Sequence, residues 1–153
     1  MLELIETARE LASGTPYKPR QADLRCAVSA AYYALFHCVM RTCADSFIGT
    51  AGAQRSDAAW RQVYRALDHG SSKKRCAQVD RFGFPQPIVD FANVFTEMQD
   101  KRHRADYHPS PSLIRSEVMA DIEDCENAIE RLESSELRDK RAFAAFILFA
   151  RRA

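Results

Sequence analysis

The sequence predicts an all-α protein, and three observations carry that expectation. Apolar residues recur at helical spacing over long stretches, only 5 Gly and 6 Pro interrupt 153 residues, and no strand-like alternation is sustained anywhere. An apolar stripe on a helix must be buried against another helix, so the expected architecture is one antiparallel helical bundle, with residues 1–135 as the domain and 136–153 as an extra C-terminal helix.

The elements follow in order. Leu4, Ile5, Ala8, Leu11 and Ala12 share one stripe over residues 2–12, and Ser13-Gly14 stops that first helix. A second helix is expected from Arg20 to Phe47, with Leu24, Ala27, Val28, Ala31, Leu35, Cys38, Val39 and Thr42 inward. Its apolar stretch AAYYALFHCVM is shorter than the roughly 20 residues a bilayer span needs, so it reads as core. Trp60, Val63, Tyr64 and Leu67 predict a third helix that Gly70 ends. Residues 71–85, SSKKRCAQVDRFGFP, read as a basic connector. Pro87 suits the first turn of a fourth helix with Ile88, Phe91, Ala92, Phe95 and Met98 inward, ending near Tyr107 or His108 because Pro109 follows. Ser110 and Pro111 then read as cap and first-turn proline of a fifth helix carrying Ile114, Val118, Ile122, Cys125, Ile129 and Leu132 inward. Ser134 or Ser135 starts a last helix, AFAAFILFA, apolar nearly all round and expected at a subunit or partner interface because one neighbour could not hide it.

Composition narrows the function classes. The 22 Lys+Arg nearly cancel the 21 Asp+Glu, and a net charge of +1 supplies no global attraction to polyanions. Any RNA contact must come from local clusters such as Lys73, Lys74 and Arg75, or Arg104. The five cysteines (26, 38, 43, 76, 125) form no C-x-x-C pair and read as reduced thiols, with Cys26, Cys38 and Cys125 on apolar faces. The N-terminal MLELIETARELAS is amphipathic and carries acids, unlike a secretory leader, so a cytoplasmic location is expected.

No Gly-rich phosphate loop, H-E-x-x-H, G-x-S-x-G or calcium loop occurs, and no His/Cys/Asp/Glu spacing suggests a metal; neither cofactor nor metal is expected. What remains is KRHRADYHP at the end of the fourth helix. Arg102 continues the stripe of Ile88 and Phe95, so an arginine projects inward or into a cleft. It can pair with Asp106 at i, i+4 and hold the helix end, or bind a phosphate with its planar fork of donors while His108, beyond the helix end, trades protons near neutral pH. His37 reads as a hydrogen-bonded core or interface histidine, His69 as a cation at a helix C-terminus, and Tyr32 and Tyr33 as core anchors, one hydroxyl of which could reach the motif.

SAAYYALFHC (29–38) on the long helix, followed two helices later by RHRADYHP (102–109), closely resembles the HEPN superfamily. Ala31, Tyr32, Tyr33, Ala34, Phe36 and His37 match its AYYA-x-FH signature, and Arg102, Ala105, Asp106 and Tyr107 match R-x-x-A-D-Y. In catalytic members R-x(4–6)-H carries a polar residue after the arginine, a slot that His103 fills here, and two protomers join their motifs in one cleft. The resemblance therefore implies a homodimeric, metal-independent ribonuclease of toxin–antitoxin or phage-defence type. In it His108 is general acid or base and Arg102 stabilises charge on the phosphorane, with His103, Asp106 and Tyr107 in support. The alternatives are a non-catalytic module that binds a nucleotidyltransferase-type antitoxin, and a helical adaptor that binds nucleotide or RNA without cutting it.

Overall fold

The computed structural model describes residues 1–14, 17–52, 54–110 and 112–149, and these form seven α-helices with no strand among them. Helix α1, Leu2–Ser13, buries Ile5, Ala8 and Ala12 and ends at Gly14 (φ 63°), whose N–H bonds to Glu10 O. A Cβ at Gly14 would lie 2.4 Å from Pro19, so only glycine fits this stop.

Helix α2, Gln21–Ile48, is the spine. Asp23 accepts from the backbone N–H of Arg20 and pairs with its guanidinium, closing the first turn. Thirteen of its side chains are buried, too many for a single stripe, because α1, α3, α5, α6 and α7 all pack on it. Thr42, expected inward, is only half-buried.

Helix α3, Asp57–Tyr64, is capped by Ser56, and the next helix departs from expectation. Residues 71–85 are not a connector: α4 runs His69–Cys76 and a turn of 3-10 helix spans Val79–Phe82. Gly70 lies in the first turn of α4 and ends nothing. The cause is Asp68, whose carboxylate accepts the Ser71 N–H at 2.8 Å, while Ser72 and Cys76, one turn apart, are buried.

Helix α5, Gln86–Tyr107, buries Ile88, Phe91, Ala92, Phe95 and Met98 as its period predicts. Helix α6, Arg115–Ser134, buries Val118, Ile122, Cys125, Ile129 and Leu132, but it begins later than expected. Ser110 is not its cap and Ile114, at 54% exposure, is not inward; Pro111 lies outside the described residues. The Gln21 amide instead binds both Leu113 N–H (2.8 Å) and Leu113 O (2.9 Å), holding that residue outside the helix.

Helix α7, Leu137–Leu148, follows Glu136, not Ser134 or Ser135, at its N-cap. Its apolar side chains do find cover within the chain. Phe143 and Ile147 are buried, Phe146 packs at an angle against Phe82 and Phe84, and Leu137 and Phe149 stay largely exposed, Phe149 beside Phe47. Much of this helix is thus covered within one molecule.

Contact order along the helices shows the bundle to be antiparallel. Arg25 meets Ala105 while Phe36 meets Phe95; Asp90 meets Arg131 while Lys101 meets Asp121; Arg9 meets Glu126 while Ala12 meets Arg115. Cys38, Cys43, Cys76 and Cys125 are buried thiols, and burial pushes the first three up to about 12. Cys26 is exposed, on the outer face of α2 between Ala22 and Ser29, against the expectation that it faces the core. No helix among the described residues is long and apolar enough to cross a membrane.

Candidate functional site

Met98 and Ala105 are both buried on the inner stripe of α5, and between them that stripe presents Arg102 to α2. The Arg102 side chain is 17% exposed. One terminal nitrogen donates to Tyr33 Oη at 3.3 Å, and the guanidinium carbon lies 5.3 Å from the Tyr33 ring centre and 5.7 Å from that of Tyr32. Its Nε is 2.6 Å from Asp106 Oδ2, an i, i+4 ion pair. Burial works against the charge of Arg102, and Tyr33 and Asp106 more than offset it, so the group is held more firmly as a cation than an ordinary arginine.

Asp106 has its own tether to α2. Ser29 Oγ donates to Asp106 Oδ1 at 2.6 Å, and Arg25 donates to the carbonyls of Ala105 and Asp106 at the helix end. Arg102 is thus fixed from two sides by α2, and Tyr33 is the aromatic hydroxyl that reaches the motif. The bland pairing with Asp106 and the inward cation occur together.

A residue that sequence reasoning misplaced completes the cluster. His69 opens α4, so it stands at a helix N-terminus, the opposite of the C-terminal position expected of it. Its ring stacks on Phe36 with centres 4.0 Å apart, its Nδ1 is 2.6 Å from Tyr32 Oη, and its carbonyl accepts from Gln99 at 2.9 Å. Burial first, and Arg102 next, push its pKa below 6.5, Asp68 opposing them weakly. The available signal was Asp68-x-x-Ser71, an N-cap pattern, hidden by the loop-like composition around it.

His108 sits elsewhere. It is the exposed C-cap of α5, its backbone extended (φ −73°, ψ 132°) and its Nδ1 accepting from Ser110 N–H at 3.2 Å. It lines a cavity of about 490 Å³ with Lys101, Arg104, Leu113, Glu117 and Asp121, and Arg102 is not among the walls. Six helical residues at about 100° each place the two motif residues about 120° apart around the axis, which is why they face different sides. His103 and Tyr107, both exposed, pack at a tilt against each other with ring centres 4.8 Å apart.

The basic residues divide. Lys73 pairs with Asp100, and Arg75 donates to the Phe149 carbonyl and lies over the Phe146 ring, so both tie α4 to other elements. Lys74 and Arg81 are exposed with no partner among the described residues, and Arg104 is exposed on the His108 side. His37 is half-buried with Nδ1 against Tyr64 Oη, and burial lowers its pKa; the hydrogen-bonded reading holds. Among the described residues no group of three or more His, Cys, Asp or Glu is placed to hold a metal ion.

Compared with family models, with curated proteins and with solved structures, the chain matches none.

Proposed function

We propose that this protein is a HEPN-type ribonuclease that cuts RNA without a metal at a site shared by two copies of the chain. The observation that carries the reading is Arg102: a largely buried guanidinium on the inner stripe of α5, positioned by Tyr33 and Asp106. Such a fork is suited to a phosphate oxygen, and its surroundings keep it charged.

In this reading His108 takes the proton of a ribose 2′-hydroxyl as that oxygen attacks the adjacent phosphorus. The P–O5′ bond breaks, the leaving oxygen takes up a proton, and the products are a 2′,3′-cyclic phosphate and a 5′-hydroxyl. Arg102 offsets the charge on the phosphorane. Since His108 and Arg102 face different sides of one α5, the His108 that serves a given Arg102 comes from a second copy, and the exposed Arg104 and Lys74 guide the backbone of the RNA.

One observation favours a second reading. Asp106 already holds Arg102 and is itself held by Ser29, the arrangement expected of a non-catalytic module whose helix end is fixed for binding a nucleotidyltransferase-type partner. A denaturing gel of total RNA incubated in EDTA with wild type, Arg102→Ala and His108→Ala decides between them. Cyclic-phosphate ends from wild type alone support the nuclease; intact RNA in every lane supports the module.

A further inference from the structure

Tyr32 is completely buried, and the partner found for its hydroxyl is Nδ1 of His69, 2.6 Å away. A buried phenol must donate its proton to something. Burial also makes that proton hard to remove, so Tyr32 is the donor and Nδ1 the acceptor. A neutral imidazole that accepts at Nδ1 carries its hydrogen on Nε2, the nitrogen turned away from the buried phenol.

That N–H has fixed surroundings. The ring is clamped against Phe36 and its backbone is held by Gln99. Tyr33 adjoins both it and the arginine: its ring centre is 6.0 Å from that of His69, and its hydroxyl accepts from Arg102. We infer that His69, Tyr33 and Arg102 form a phosphate-binding cradle in which His69 contributes a neutral Nε2–H donor beside the guanidinium. A neutral donor suits the place, because a second full cation next to Arg102 would be repelled, whereas an N–H supplies direction without charge. The Tyr32 hydroxyl sets the tautomer, as second partners do for functional imidazoles generally.

The cradle deepens the ribonuclease reading and rests on it only in taking the phosphate to be that of RNA. The test is 15N NMR of histidine-labelled full-length protein at pH 7, titrated first with inorganic phosphate and then with a 2′-O-methyl oligoribonucleotide, which binds but lacks the attacking hydroxyl. His69 should show the Nε2–H tautomer, and its Nε2 signal should move saturably with either probe. Arg102→Ala should remove the response. His69→Phe, which keeps the stack on Phe36, should weaken phosphate binding by about tenfold, the scale of one neutral hydrogen bond. His69→Gln, able to accept from Tyr32 and donate outward together, should recover most of that loss.

An Nδ1–H tautomer, an imidazolium at pH 7, or an Nε2 signal indifferent to phosphate overturns the cradle, and these wild-type spectra decide even if His69→Phe fails to fold. The two readings fail separately. Saturable phosphate binding at His69 in a protein that leaves RNA intact upholds the cradle and removes the nuclease; RNA cleavage with His69 indifferent to phosphate does the reverse.

Discussion

At Arg102 and Asp106 the catalytic and structural roles predict different costs for the same substitutions. Arg102→Ala leaves a carboxylate that is 28% exposed without its cation, and the partial exposure limits the destabilisation to about 1–3 kcal/mol, read as a fall in urea midpoint. Arg102→Lys should recover part of that stability but little cleavage, because a point charge does not reproduce a planar fork. His108→Ala should leave the midpoint unchanged, since the ring is exposed and its hydrogen bond is to a loop N–H, while cleavage drops by about 10²–10⁴-fold. A second expectation concerns pH. His37 and His69 are both pushed below 6.5, mainly by burial, so the unfolded chain binds protons that the folded chain resists. Their contribution to stability is full above about pH 6.5 and is lost as the pH falls through the folded values, so Tm should drop on acidification from neutrality. In His69→Gln that drop should shrink; an unchanged pH profile would show that His69 does not resist protonation. The arginine was legible in the sequence because it continues an apolar stripe, whereas His69 was not, since its neighbours Phe36, Tyr32 and Arg102 come from elements remote in the chain.

For whole elements, helices with sustained apolar stripes were readable and the others were not. Every expected inward residue of α5 is buried, because five apolar positions at one period admit one orientation. Helix α4 fully buries Ser72 and Cys76, packs the His69 ring against Phe36, and is made by a capping carboxylate, a local signal that Ser, Gly and Lys obscure. The start of α6 depends on Gln21, 92 residues away, which no local pattern reveals. These corrections change what the basic run should do. Lys74→Ser and Arg81→Ser should leave Tm unaltered, while Lys73→Ser and Arg75→Ser should each cost about 0.2–1 kcal/mol, the range of exposed ion pairs and cation–π contacts. A differential scan of the four single variants checks this; equal Tm throughout would mean that neither Asp100 nor the Phe149 carbonyl anchors α4. Helix α7 belongs to the core in the same sense. Phe143 packs edge-on against Phe84 and Phe91, so Phe143→Ala should cost about 3–5 kcal/mol in urea unfolding. A loss below about 1 kcal/mol would show α7 to be loosely docked.

In the whole molecule, the proposed chemistry needs a second copy, and the reason is the placement of two residues on one helix. Arg102 looks inward to Tyr33 while His108 looks out over the cavity bounded by Lys101 and Asp121, so in one α5 the two side chains serve different faces. A twofold pair of chains would present each arginine to its partner's histidine, giving two equivalent sites. Mixing tests this directly. Arg102→Ala and His108→Ala should each be inactive alone. After co-refolding, about a quarter of wild-type cleavage should return, because half of the dimers are then mixed and each mixed dimer holds one intact site. Specific activity should also fall on dilution, and sedimentation should show the dimer separating over the same concentrations. The weak net charge sharpens the expectation, since a chain at +1 gains little from long-range attraction and depends on two local sets of basic residues brought together. A mixture as inactive as its components, with wild-type cleavage proportional to protein at every dilution, would place both groups in one chain and require α5 to unwind at its end to join them.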